Sequence, residues 1–220
     1  MLFVEILDIP LVRFLTLYVV YVGIIGMFLI FGIRIARRGA KTRQVTFITR
    51  FFILTALSLV VNIIYAPFGD YWIQLIGNRL VIAAVTFGIV YLMCFAISLH
   101  RSTIEFKVKT QHIIEIFMIA VVIVYFFLPG DFDPQYAPIW DLPMVIYTLV
   151  VTQSLYLCAI WFGVLTVREI TDVAIKRRLL MFILGIILVE IVLLSTILAN
   201  GLIIPRIVTT ITGIAIIPGG

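Results

Sequence analysis

Long apolar runs separated by short polar gaps dominate the chain. About twenty apolar residues are needed for a helix to cross a bilayer core. On that rule the pattern predicts spans at roughly 11–33, 47–66, 79–99, 112–129, 143–166, 179–199 and 203–218. The runs lack the polar face that a helix on the surface of a water-soluble fold presents to solvent. The last run is the shortest and carries Pro205 and Arg206 near its start. All eight prolines, at 10, 67, 129, 134, 138, 143, 205 and 218, fall at or near run ends. There a missing backbone donor costs least. The predicted fold class is all-α: a polytopic membrane protein whose residues 1–220 form one seven-helix transmembrane bundle.

Charge turns this pattern into a topology. Twelve of the sixteen Lys and Arg residues fall into three clusters at alternate gaps: Arg34, Arg37, Arg38, Lys41 and Arg43; Arg101, Lys107 and Lys109; Arg168, Lys176, Arg177 and Arg178. The other gaps carry Asp70, Asp131, Asp133 and Asp141. This positive-inside asymmetry predicts a multi-pass protein of the cell membrane, its N-terminus extracytoplasmic and its C-terminus cytoplasmic. The opening MLFVEILDIP has acidic Glu5 and Asp8 where a cleaved signal would be basic, so an uncleaved first helix is expected. Trp72 and Trp140 fall at predicted outer boundaries and Trp161 near an inner one, as ring systems that prefer the interface do.

Composition agrees: 64% of residues are hydrophobic and the mean hydropathy is +1.25, outside the range of a soluble domain. The net charge of +5 would suggest nucleic acid in a soluble protein. Here the cations are confined to inner loops, where they meet anionic headgroups, and no nucleic-acid partner is expected. Cys94 and Cys158 lie inside predicted spans and imply no disulfide framework.

Polar side chains within spans are expensive and so carry information. Glu190 lies near the middle of the sixth span among apolar neighbours. Arg206, one turn later, and Arg79, at the outer start of the third span, are its candidate cations. Two roles fit Glu190: a proton- or ligand-responsive group in a central pocket, or a partner in an interhelical bond that holds the bundle together. Thr55, Ser58, Asn62 and Tyr65 lie along one side of the second span. Thr148, Thr152 and Tyr156 share a face of the fifth, with Gln153 beside it. Asn62 and Gln153 are therefore candidates to converge with Glu190, while the hydroxyls suit helix packing.

The longest outer loop, PGDFDPQYAPIWDLP, reads as solvated acids with Phe132, Tyr136 and Trp140 on the headgroups. The segment VREITDVAIKRRLL reads as a charged helical hairpin, with Asp172 and Lys176 spaced for an i,i+4 pair.

Several chemistries drop out. His100 and His112 have no Cys or His at ligand spacing, and there is no H-E-x-x-H, G-x-S-x-G or P-loop. All four lysines, 41, 107, 109 and 176, lie in inner loops, so no span offers a Schiff-base lysine. No enzyme activity, metal or cofactor is expected.

The stretch FITRFFILTALSLVVNIIYAPFGDYWIQLIGNRLVIAAVTFGIVYLMCFAISLHRST, with its short outer turn, Phe-rich span ending and basic loop, resembles spans two and three of a known family. That family is the seven-transmembrane sensory region found N-terminal to bacterial and archaeal histidine kinases. The fourth span, the outer loop and the REITDVAIKRRLL hairpin fit the same plan. The resemblance implies a sensor or receptor-like bundle that passes a signal to a cytoplasmic partner; a separate partner is expected to supply the output, and no catalytic residue carries over to residues 1–220. Two other readings remain. NRLVIAAVTFGIV (78–90) and PRIVTTITGIAII (205–217) echo one another, as in a 3+1+3 transporter or channel subunit similar in plan to SWEET-type sugar transporters. An accessory subunit packing against other membrane chains is the third.

Overall fold

The computed structural model describes residues 14–38, 42–101, 106–132, 138–201 and 211. Residues Thr16–Val20 form a π-helical stretch that leads into α1 (Tyr21–Arg38). There follow α2 (Arg43–Tyr65), α3 (Tyr71–His100), α4 (Val108–Tyr125), the strands β1 (Gly130–Phe132) and β2 (Pro138–Trp140), α5 (Leu142–Glu169) and α6 (Val173–Asn200). Among the described residues six helices are long and apolar enough to cross a membrane, the first of them taken from Leu17 to Arg37. Apart from residue 211, the predicted seventh span, 203–218, lies outside the described residues, and so do its Arg206 and Glu5, Asp8 and Asp133.

Short polar signals start these helices. The Thr42 hydroxyl accepts from Val45 N at the head of α2, and the Asp70 carboxylate accepts from Ile73 N at the head of α3. Asp172 accepts from both Ala174 N and Ile175 N at the head of α6. Each satisfies a backbone donor the helix itself leaves free. Asp172 is thus a cap, and it makes no ion pair with Lys176 among the described residues. Pro143 sits in the first turn of α5, where its fixed φ suits the helix start.

Helix α3 is the centre of the bundle. It packs against α2, α5 and α4, while α1 lies on α2, and α6 packs mainly on α5. Glycines set several of these approaches. A Cβ on Gly77 would fall inside the Tyr65 ring, one on Gly88 would meet the Thr55 hydroxyl at 3.0 Å, and one on Gly163 would meet Ile183 at 3.2 Å. Small residues let helices close up where no hydrophobic force pulls them together.

The main core joins Leu17, Phe28, Phe51, Ala56, Ile89, Leu92, Tyr156 and Ile186 across the π-helical stretch and five α-helices. Outside it the apolar character does not stop. Ile30, Ile64, Ile113, Phe117, Leu157, Trp161 and Met181 are all exposed. A soluble monomer rarely shows so continuous an apolar exterior; facing lipid, it costs nothing.

The expectation of a purely helical chain needs one amendment. Between α4 and α5, β1 and β2 pair antiparallel in the register Gly130↔Trp140, Asp131↔Ile139 and Phe132↔Pro138. The loop backbone is thereby paired with itself at one end of the bundle. Trp140, expected on the headgroups, is instead 7% exposed and packs with Tyr125, Met144 and Ile197. Trp72 and Trp161 are exposed.

Candidate functional site

The ends of the bundle differ in charge. At one end the α1, α3 and α5 C-termini lie with the starts of α2, α4 and α6, so the described residues of the three Lys and Arg clusters share that end. Gln44 Nε2 donates to Ser98 O at 3.1 Å and His100 Nδ1 lies 3.3 Å from Glu169 Oε2, which ties α2, α3 and α5 there. The opposite end carries Asp70, Asp131 and Asp141. Each end holds a polar network.

At the basic end, Glu115 of α4 is the hub. Its Oε1 accepts from Gln111 Nε2 at 2.8 Å and from the Tyr91 hydroxyl of α3 at 3.1 Å, and lies 3.8 Å from Arg50 Nη1 of α2. Its other oxygen is 3.1 Å from His112 Nδ1. Arg50 also donates to the Tyr91 hydroxyl at 3.3 Å and stacks on the Tyr91 ring. Arg43 donates to Phe106 O at 2.6 Å and to Gln111 Oε1 at 3.0 Å, with its guanidinium over the Phe47 and Phe106 rings. Three helices are therefore clamped through one carboxylate whose side chain is 20% exposed. At that burial, charge-assisted bonds are worth more than surface pairs.

The acidic-end network is built on α3. Gln74, fully buried, donates from Nε2 to the carbonyls of Tyr65, Ala66 and Phe68, closing the α2–α3 turn. Asn78 donates to the Tyr65 hydroxyl at 3.4 Å and accepts from the Trp140 indole at 3.2 Å. Arg79 is 3% exposed; its Nη2 donates to Leu128 O at 2.7 Å and its Nη1 lies 3.1 Å from Met144 Sδ. Its Nε is buried with no hydrogen-bond partner. No carboxylate pairs with it among the described residues.

The sequence candidates separate accordingly. Arg79 anchors the α4–β1 connection and forms no ion pair with Glu190 among the described residues. Glu190 is half-buried on α6, within electrostatic reach of Tyr156 of α5. Gln153, one turn before Tyr156, has its Nε2 buried with no hydrogen-bond partner among the described residues. Asn62 is half-buried on α2; no hydrogen bond joins it to Gln153 or Glu190 among the described residues. Arg206 lies outside them. Of the hydroxyl stripes, Thr55 and Ser58 bond to Phe51 O and Thr55 O, and Thr148 and Thr152 to Met144 O and Thr148 O. They are satisfied within their own helices and serve packing.

The residues missed from sequence are Glu115, Arg50, Tyr91 and Gln111 of the basic-end network and Gln74 and Asn78 of the acidic-end one. Glu115 and Arg50 fall within predicted spans 112–129 and 47–66, each near the same end, and their opposite charge at one depth was the available signal. Nothing in the sequence marks the buried Tyr125 hydroxyl, which comes close to Thr86 and Thr148 without a hydrogen bond of good geometry.

Among the described residues no group of three or more His, Cys, Asp or Glu side chains could hold a metal ion. Both cysteines are free.

Length, apolar exterior and end-capping networks are those of a multi-pass helical membrane protein. No family model matches the chain, and no curated protein or solved structure matches it.

Proposed function

We propose that the chain is a receptor-type bundle of the cell membrane, with its basic end cytoplasmic, that passes a change within the membrane to a separate partner at that end. The observation that carries the reading is the unequal anchoring of α6. Helices α2, α3 and α4 are tied at the basic end by Glu115 and at the other by Gln74 and Arg79, whereas α6, among the described residues, rests mainly on α5. The midpoint of α6 holds Glu190 beside Tyr156, and its first turns hold Lys176, Arg177 and Arg178. A shift of α6 against a fixed α2–α4 block would therefore move a charged surface at the basic end, a sliding of packed helices. The resemblance to histidine-kinase sensory regions supports the same direction of signalling, and a seventh span within 203–218 would return the chain to the basic side.

A photo-reactive residue at position 177 in intact cells tests the reading. It is expected to capture a soluble protein, and one at position 72 is expected not to. Solute flux in proteoliposomes that is lost in Glu190→Gln with Asn62→Ala would overturn it in favour of a transporter. Extraction in fixed ratio with other membrane chains, without a soluble partner, would favour an accessory subunit.

A further inference from the structure

A groove of about 420 Å³ runs between α1, α2 and α6, within the range of small-ligand pockets, about 300–1,000 Å³. Its walls are apolar: Phe28 and Phe31 from α1, Phe52 from α2, Phe182 and Val189 from α6. Gly185 forms part of its α6 wall, and a Cβ there would meet nothing within 4 Å. A helical glycine costs up to about 1 kcal/mol relative to alanine, and no packed neighbour explains this one. It leaves a notch. The groove opens sideways past Met181 and Leu188, both exposed, toward the apolar exterior.

One end of the groove is charged. On α6 the row Met181–Gly185–Leu188 continues one turn back to Arg178; on α1 the row Met27–Phe31 continues to Arg34. Both arginines are exposed and neither has an ion pair or hydrogen-bond partner among the described residues. From Arg178 to Val189 the helix rises about 16 Å. An apolar trench of that length with two free guanidinium groups at one end has the polarity of a single amphiphile.

We propose that this groove binds one anionic phospholipid. A hydrocarbon chain lies along the Phe28–Phe182 walls and fills the Gly185 notch, and the phosphate sits between Arg34 and Arg178. Guanidinium forks suit phosphate oxygens, and basic pockets between membrane helices take anionic headgroups. The site requires only that the bundle be embedded in lipid, so it stands apart from the signalling role above.

Native mass spectrometry of the full chain, released from membranes of equal phosphatidylglycerol and phosphatidylcholine, tests it. Wild type is expected to retain one phosphatidylglycerol per chain with at least about tenfold preference, since each cation near a headgroup is worth about fivefold. Arg34→Gln with Arg178→Gln should bring the preference below about twofold. Gly185→Leu, which enters open space and spares the protein packing, should lose both lipids, while Gly185→Ala, too short to fill the groove, keeps phosphatidylglycerol. Equal retention of the two lipids by wild type, or full retention by Gly185→Leu, overturns the proposal. So does crosslinking of Gly185→Cys to a second copy or to cysteines placed in 203–218, which would make the occupant protein.

Discussion

Gln74 has no charge, yet it closes the α2–α3 turn. Its amide nitrogen lies within hydrogen-bond distance of three carbonyls there, and that of Ala66, 4% exposed, would lose this donor with little access to water. Gln74→Ala is expected to cost about 1–3 kcal/mol, seen as a fall of roughly 2–10 °C in thermal midpoint in detergent; an unchanged midpoint would show that the turn closes without it. Glu115 poses a different question, because its neighbours are partly in contact with solvent. Glu115→Ala leaves Gln111 and the Tyr91 hydroxyl without their acceptor and Arg50 without its countercharge. Glu115→Gln keeps one acceptor oxygen but loses the charge and the second oxygen. The alanine variant should therefore lose clearly more stability, and equal losses would mean that the retained oxygen adds nothing to the clamp. Glu115 was legible as a charged residue inside a predicted span. Its importance was not, because its partners come from helices 24 and 65 residues away in sequence.

Helices here pack by shape, so glycine substitutions should divide by what a Cβ meets. Gly26 has nothing within 4 Å, and Gly26→Ala should raise stability by about 0.5–1 kcal/mol through helix propensity. Gly77 lies against the Tyr65 ring, which is 5% exposed and held by Asn78; Gly77→Ala should lower stability and loosen the α2–α3 contact. Thermal unfolding of the two variants checks both, and a common sign would refute the division. At the same scale Gly163→Leu drives a branched side chain into Ile183 and separates α6 from α5. Faster hydrogen exchange confined to α6 is expected, whereas exchange spread evenly over α2 and α3 would deny that α6 is the loosely held element. The helices themselves were plain from run length. Their pairing was not, since uniformly apolar surfaces carry no phase that says which side faces a neighbour.

Across the whole molecule, charge separates the two ends while the flanks stay apolar. If the basic end faces the cytosol, as the positive-inside asymmetry implies, Trp72→Cys should react with an impermeant thiol reagent on intact cells. Arg177→Cys should react only after the membrane is opened. The reverse result inverts the orientation and removes the basis for a cytoplasmic partner.

What the amino-acid sequence determined alone was a series of seven apolar runs, six of which are membrane-length helices among the described residues, the gaps between them, and the alternation of cations from gap to gap. These follow from local hydropathy and from charges counted gap by gap, neither of which needs to know where distant residues lie. Tertiary structure decided that Arg79 secures a loop instead of answering Glu190, that Trp140 turns inward to Asn78, and that Glu115 binds three helices together. Hydrogen bonds depend on positions in space to within a fraction of an ångström, and only the packed bundle sets those positions.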